Sequence, residues 1–219
     1  MALRKARPRD GLSHSWTTHV TDSRAQLRDE LRSVRRAIPA PQRIAAAQSL
    51  ARHLLALPVM PATGHVAGYW AMDGEITLHA WQLQLPPGMT YCLPVLGRDK
   101  RLRFAAWKPG DPLGSNRFGI PEPQVPASSL LDPEAMALVV VPLVGFDTTG
   151  QRLGMGGGWY DRSFAFRAAD APPPWLVGAA FAAQRCEDGI PRKPWDVRLD
   201  AVCSDRETFI TAGTPTGDP

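Results

Sequence analysis

Apolar positions recur at helical spacing through the first third of the chain. Leu27, Leu31, Val34 and Ile38 fall on one stripe of a helix predicted to begin at Asp22, and a second helical pattern covers about 42–57 and stops before Pro58. Pro39 and Pro41 separate the two. From His65 onward the pattern changes. "HVAGYWA" (65–71), "TYCLPVL" (90–96), "RLRFAAW" (101–107), "ALVVVP" (137–142) and "WLVGAAF" (175–181) read as strands, with a shorter one near "DAVCS". Short helices are predicted near Ile76 and from Trp159. Several strands are apolar at consecutive positions, which predicts burial on both faces. Such strands alternating with helices predict an α/β fold: a single domain with a mostly parallel sheet and helices on both faces. Residues 108–133, rich in Pro, Gly and Ser, read as a long surface loop.

The first helix carries a second stripe, Arg24, Arg28, Arg32 and Arg35, roughly 90° from the apolar one. Asp29, Glu30 and Ser33 take the far side. A basic stripe bordering the buried face can line a groove, but geometry alone favours long Arg stems packed beside a core. The whole chain has a net charge of +4, but residues 1–36 hold nine Lys and Arg against four Asp and Glu. The basic signal therefore belongs to the N-terminal region, where it would serve nucleic acid or a small polyanion such as a nucleotide. Residues 1–21 lack periodicity and read as a poorly ordered basic extension.

At 219 residues the chain is long enough to bury a core without staples. No stretch approaches the roughly 20 apolar residues of a membrane span, and no signal-peptide core is present. The three cysteines, Cys92, Cys186 and Cys203, are scattered and form no CxxC pair, which argues against a zinc site or a disulfide scaffold. The expected location is cytoplasmic. His14, His19, His53, His65 and His79 show no metal-ligand spacing.

The densest chemical signal is "GQRLGMGGGWYDRSF" (150–164), with Gly154, Gly156, Gly157 and Gly158 within five positions. It follows a buried strand after a short connection and precedes a helical pattern. That arrangement lets backbone N–H groups converge on an anion; a structural turn is the alternative. It is neither a Walker A loop nor a GxGxxG fingerprint, since Trp159 stands where the last glycine would be. Asp161 would complement a helix dipole or hold Mg²⁺ beside a phosphate. Arg152 would clamp phosphate or lie at the surface. Glu75, after the turn signal "MDG", would be a solvated carboxylate on its sequence context alone.

"VVVPLVGFDTTGQRLGMGGGWYDRSF" (139–164) resembles the signature of the 5-formyltetrahydrofolate cyclo-ligase family, through Pro142, Phe146, Asp147, Gly150, Arg152, Leu153, Gly154, Gly156, Gly158, Trp159, Tyr160 and Asp161. "RAQLRDELRSVRRAI" resembles the family's opening helix, "YWAMDGEITL" its first strand with the following Glu, and "QRCEDGIPRKPWDVRLDAV" its closing segment. The resemblance covers about 22–210 and leaves 211–219 as a flexible C-terminal tail. It implies a NagB/RpiA/CoA-transferase-like fold, acting as a monomer. It implies ATP binding by Arg24, Arg28, Arg152, Leu153, Gly154, Met155, Gly156, Gly157, Gly158, Trp159 and Tyr160. Folate contacts would come from Trp70, Glu75, Met155 and Trp159, catalytic roles from Arg152 and Tyr160, and Mg²⁺ ligands from Asp161 and Asp196.

The implied reaction cyclises 5-formyltetrahydrofolate, with or without a polyglutamate tail, to 5,10-methenyltetrahydrofolate. ATP phosphorylates the formyl oxygen, the neighbouring folate nitrogen attacks, and ADP and phosphate are released. Trp159, Tyr160 and Trp70 would sandwich the pterin. Two departures stand out: Arg24 replaces the family's usual Lys, and Trp159 its usual Tyr. Two rival readings are a same-fold enzyme acting on another small amide and a nucleic-acid-binding module built on the arginine-rich helix. The latter is disfavoured because the basic charge stops near residue 36.

Overall fold

The computed structural model describes residues 23–211, so the expected N-terminal extension and all but the first residue of the expected C-terminal tail lie outside the described residues. In chain order the helices are α1 (Ser23–Ala37), α2 (Ala40–Leu55), α3 (His79–Gln82) and α4 (Trp159–Ser163). The strands are β1 (Gly64–Ala67), β2 (Met89–Leu96), β3 (Leu102–Ala106), β4 (Leu113–Ser115), β5 (Pro121–Pro123), β6 (Met136–Pro142), β7 (Gly145–Phe146), β8 (Arg152–Leu153), β9 (Trp175–Ala179), β10 (Ala201–Cys203) and β11 (Thr208–Ile210). Among the described residues no helix is long and apolar enough to cross a membrane.

Seven strands form one sheet in the order β11-β10-β9-β6-β1-β2-β3. The five inner strands are parallel, and the two edge strands, β11 and β3, are antiparallel to their neighbours. The consecutive apolar residues are sorted by the two-residue period of a strand. Val66, Leu138, Val140 and Val177 enter a core with Leu50 and Leu54 of α2 and Trp81 of α3. Their neighbours Ala67, Val139, Val141 and Leu176 enter a second core with Phe164, just after α4. Cys92 and Cys203, both free thiols, are buried on opposite faces, and burial pushes each up to about 12.

Several boundaries differ from the pattern. β1 ends at Ala67 rather than residue 71, because the chain turns away at the sheet's carboxyl edge after Gly68 N–H bonds Cys92 O (3.0 Å). Pro41 lies inside the first turn of α2, where a missing N–H costs nothing, so only Pro39 separates the helices. The stretch expected as a bare loop, 108–133, contains the β4–β5 hairpin. The last correction concerns α1. Val34 is 43% exposed, whereas Arg24, Leu31 and Arg35 are buried. The buried face is rotated toward the arginines, because α1 meets carbonyls and carboxylates of the loops at Asp73, Leu143, Gly154 and Asp196. A small third core, Leu31 with Val144, Leu153 and Ile190, anchors it there.

Candidate active site

In an open parallel sheet a crevice forms at the carboxyl ends of the strands where the winding direction reverses. Here β1 and β2 progress one way, and β6, β9 and β10 the other. The reversal falls between β1 and β6. The segment after β1 carries Trp70 and Glu75, and the segment after β6 carries Arg152 and the glycine run.

The sequence fixes Arg152 through a tight hairpin between β7 and β8. Asp147 Oδ1 accepts from Thr149 N (2.9 Å), Thr149 Oγ1 (2.7 Å) and Gln151 N (3.1 Å), the side-chain turn for which Asp is suited. The hairpin replaces the simple connection expected between buried strand and glycines. It delivers Arg152, which is buried, against Asp161: Arg152 Nη2 donates to Asp161 Oδ1 (2.5 Å), and Nη1 donates to the Val197 carbonyl. Val197 N–H also donates to Asp161 Oδ1 (3.2 Å). The preceding residue, Asp196, accepts from Arg24 Nη1 (2.6 Å), and Arg24 also donates to the Pro191 carbonyl (3.1 Å). Arg28 Nε donates to the Gly154 carbonyl (2.8 Å). Burial pulls the Arg152 guanidinium down from its ordinary pKa, and Asp161 and Asp196 push it back up. An arginine so placed stays charged.

Within the glycine run, Gly156 (φ +90°) and Gly158 (φ +64°) occupy backbone conformations that other L-residues rarely adopt. Gly154 and Gly157 do not. At Gly157 a Cβ would fall 2.9 Å from Trp159 Cδ1, so this glycine makes room for the indole. Gly156 to Gly158 lead into α4, which is only five residues long, so its dipole adds little. Leu153 points into the third core, leaving only its backbone to face a ligand. Met155 is 55% exposed.

Around Glu75 the site is enclosed. Met72–Glu75 is a turn closed by Glu75 N–H to Met72 O (2.9 Å), with Asp73 and Gly74 both at positive φ, the Asp-Gly signature of a type I′ turn. Glu75 is not the solvated carboxylate that its context suggested: its side chain is 14% exposed. Burial raises its pKa, opposed by the hydrogen bond from Met72 N–H (2.9 Å) and by Arg35 (3.8 Å). Tyr160 is partly exposed; desolvation of its hydroxyl, then Glu75, push its pKa well up, while Arg152 opposes. Tyr69 lies in the same field and donates to Ile76 O (2.8 Å).

The three rings expected to sandwich a pterin have separate neighbours. Trp70 meets Trp107 edge-on (5.9 Å), Trp159 meets Phe118 edge-on (6.2 Å), and Tyr160 stacks on Phe164 (6.3 Å, 17°). One face of Tyr160 is therefore already covered. Arg117 lies over both Phe118 and Trp159.

The structure thus draws Arg24, Arg28, Arg152, Gly154, Asp161 and Asp196 into one network, with Tyr160 and Glu75 electrostatically linked to it. Sequence reasoning missed Arg117 and Phe118, hidden in a stretch read as loop; an Arg-aromatic pair among Pro and Gly was the available signal. It also missed Tyr69 and Tyr91, whose hydroxyl occupies the space a Cβ on Gly68 would need. Among the described residues no three metal-ligating side chains gather. Two carboxylates, Asp161 and Asp196, both act on Arg152. That donor set fits Mg²⁺, which takes one or two carboxylates and completes its shell with phosphate and water.

This chain matches the 5-formyltetrahydrofolate cyclo-ligase family over residues 20–205. It is 36% identical to the 5-formyltetrahydrofolate cyclo-ligase of Haemophilus influenzae over 182 residues, covering 82% of this chain and 96% of that one. To the enzyme of the same name from Escherichia coli K12 it is 34% identical over 175 residues, covering 78% and 94%. The solution structure of Aquifex aeolicus 5,10-methenyltetrahydrofolate synthetase superposes with a TM-score of 0.72 at 25% identity, over 90% of this chain and 96% of that one. A Mycoplasma pneumoniae 5,10-methenyltetrahydrofolate synthetase shares the fold, with a TM-score of 0.66. The mostly parallel sheet, the site at its winding reversal and a match over nearly the whole described length lead to one assignment: the chain belongs to the 5-formyltetrahydrofolate cyclo-ligase family.

Proposed function

We propose that the chain is a ligase that converts 5-formyltetrahydrofolate to 5,10-methenyltetrahydrofolate with ATP as co-substrate, working as a cytoplasmic monomer. The observation that supports this most is convergence. Arg24 and Arg28 of the first helix reach Asp196 and Gly154, far away in sequence, so that Arg28 brings a cationic group to the glycine run and Arg24 one to the Asp196 loop.

A formamide oxygen is a poor leaving group. In the proposed reaction it attacks the γ-phosphorus and ADP departs. The folate N10 then attacks the formyl carbon, its proton is lost, the C–O bond breaks, and phosphate leaves. The protein's task is placement and charge neutralisation. Arg24, Arg28 and Arg152 would balance phosphate charge. Tyr160, held protonated by burial and by Glu75, would be a hydrogen-bond donor throughout and never a base. Glu75 would accept from pterin N–H groups, and Trp70, Met155, Trp159 and Phe118 would pack against the folate. The backbone of Leu153 through Gly158 would approach the triphosphate. Asp161 and Asp196 would hold Mg²⁺, which neutralises phosphate charge when bound.

The test mixes purified protein with 5-formyltetrahydrofolate and Mg-ATP and follows the absorbance of the methenyl product. Product that appears only with ATP supports the reading. No product, with both ligands shown to bind, overturns it.

A further inference from the structure

We propose that Arg35 is a positioning residue for this site: it holds Glu75 as a carboxylate beside the winding reversal of the sheet and ties that carboxylate to the helix carrying Arg24 and Arg28. This rests on the cyclo-ligase reading and extends it to a residue of the opening helix to which the resemblance assigns no role.

Arg35 is fully buried. A buried guanidinium needs partners for its donors, and Arg35 finds them on two separate segments. Nε donates to the Asp73 carbonyl (3.1 Å), Nη2 to Asp73 Oδ2 (2.9 Å), and Nη1 to the Leu143 carbonyl just past β6 (3.2 Å). Nη1 also lies 3.8 Å from Glu75 Oε1. The guanidinium therefore spans the reversal between β1 and β6. Leu143 O is braced again by Gln184 Nε2 (3.0 Å). Asp73 also accepts from Arg32 (2.9 Å) and Arg36 (2.6 Å), so the Asp73–Gly74 turn is pinned to α1 by three arginines. Arg43 of α2 holds the same turn through the Gly74 carbonyl (2.6 Å).

Arg24, Arg28 and Arg35 share one face of α1. Eleven helical steps separate the outer two, about 16 Å along the axis. One end of that face meets Asp196 and Gly154, and the other meets Asp73 and Glu75. The helix sets the spacing between the phosphate end and the folate end of the site. Lysine cannot replace this geometry, since one nitrogen cannot reach Asp73, Leu143 and Glu75 together. The charged and titratable groups acting on or beside Glu75 are Arg35 of α1, Asp73 of its own turn, Tyr69 after β1, and Tyr160 of α4.

The experiment measures kcat and KM for 5-formyltetrahydrofolate and for ATP across pH in the parent, Arg35→Gln, Arg35→Lys and Asp73→Asn, with thermal melts. Removing the Arg35 charge makes Glu75 easier to protonate. In Arg35→Gln the acidic limb of kcat/KM for the folate moves to higher pH by at least about half a unit. Its folate KM rises about tenfold or more, and its ATP KM stays within about twofold. Arg35→Lys keeps the limb near the parent's while the folate KM rises. Asp73→Asn removes a negative neighbour of Glu75, and Asn tolerates positive φ; its limb moves the opposite way, to lower pH. This variant carries the test if Arg35→Gln does not fold. Unmoved limbs in an active parent's variants, or equal losses for both substrates, overturn the positioning role alone. An inert parent overturns the cyclo-ligase reading, and the role with it.

Discussion

Helices α1 and α2 are neighbours of nearly equal length, yet they are buried for opposite reasons. α2 lays Ala46, Ala47, Leu50, Ala51 and Leu54 on the sheet, an apolar stripe at three- and four-residue spacing. α1 buries Arg24 and Arg35 with only Leu31 between them. For α2, removal of apolar area from water is enough to hold it. For α1 it is not: two buried cations must be matched, one by Asp196 and Pro191 O, the other by Asp73 and Leu143 O. Replacing such polar sites with packed apolar residues is often neutral or favourable to a fold. Their presence in α1 follows from what the helix faces, a crevice at the carboxyl edge of the sheet, while α2 faces its flank.

The comparison is most directly broken by one substitution in each helix. Leu50→Ala in α2 removes a fully buried side chain and is expected to cost about 2–5 kcal/mol in urea unfolding, with kcat/KM of the folded protein unchanged. Arg28→Gln in α1 removes a hydrogen bond to Gly154 O and a site charge. It is expected to cost less than about 1.5 kcal/mol of stability while lowering kcat/KM for ATP by about 100-fold, roughly 2.7 kcal/mol. Equal stability losses, or an active Arg28→Gln, would show that α1 is held and used as α2 is.

Asp161→Asn sharpens the contrast at the α1-facing network. Asn keeps an oxygen for Arg152 and for Val197 N–H but leaves the buried Arg152 cation without its paired charge, so the melting temperature should fall while the protein still folds. Turnover should fall by about tenfold or more, with the deficit growing as Mg²⁺ is made limiting. Full turnover at limiting Mg²⁺ would remove Asp161 from the candidate metal ligands.

The glycine run offers a finer cut. Gly156→Ala and Gly158→Ala force a side chain into positive φ, and at Gly158 the new Cβ would lie 2.7 Å from Arg162 Nη1. Each is expected to weaken ATP binding by about tenfold, roughly 1.4 kcal/mol, and to cost the fold about 1–2 kcal/mol. Gly157→Ala meets the Trp159 ring instead, so its effect should appear as a few-fold rise in folate KM with ATP affinity nearly unchanged. Titration of both substrates into the three variants separates these outcomes. Identical behaviour of all three would reduce the run to a structural turn.

Most of the sheet was legible because consecutive apolar residues in 137–142 and 175–181 have one physical use, burial on both faces. The glycine run and the Asp-Gly turn were legible because positive φ restricts residue choice. The buried face of α1 was misjudged because hydrophobic periodicity scores Val34 above Arg35, whereas the surface beneath the helix presents carbonyls and carboxylates that only the fold assembles. Phe118 was passed over for the converse reason. A three-residue hairpin strand is too short to show a period, so the Arg-aromatic pair hinted at a contact but not that β4 and β5 bring the ring to Trp159. Asp196 shows the limit most clearly: its partner Arg24 is 172 residues away, and no local spacing could pair them.

The smallest effect concerns Glu75, a carboxylate largely withdrawn from water. Its folded pKa is raised above the unfolded value, chiefly by burial. Ionising it therefore costs the folded state more than the unfolded one. The sign follows from linkage: below the unfolded pKa of about 4.3 the carboxyl is neutral in both states and exacts no penalty, and as pH rises through the folded pKa the penalty is fully imposed. Glu75→Gln removes the ionisable group and keeps an acceptor for Met72 N–H. The variant should melt at a slightly higher temperature than the parent at pH 7 to 8, and the difference should vanish near pH 4. Activity should move the other way, with a higher folate KM, because the carboxylate disfavoured by the fold is the one proposed to grip the pterin. Parallel melts and kinetics at those pH values decide it. A Glu75→Gln protein less stable than the parent at neutral pH would mean that Arg35 more than compensates for the buried charge, and Glu75 would then belong with the elements that hold the fold.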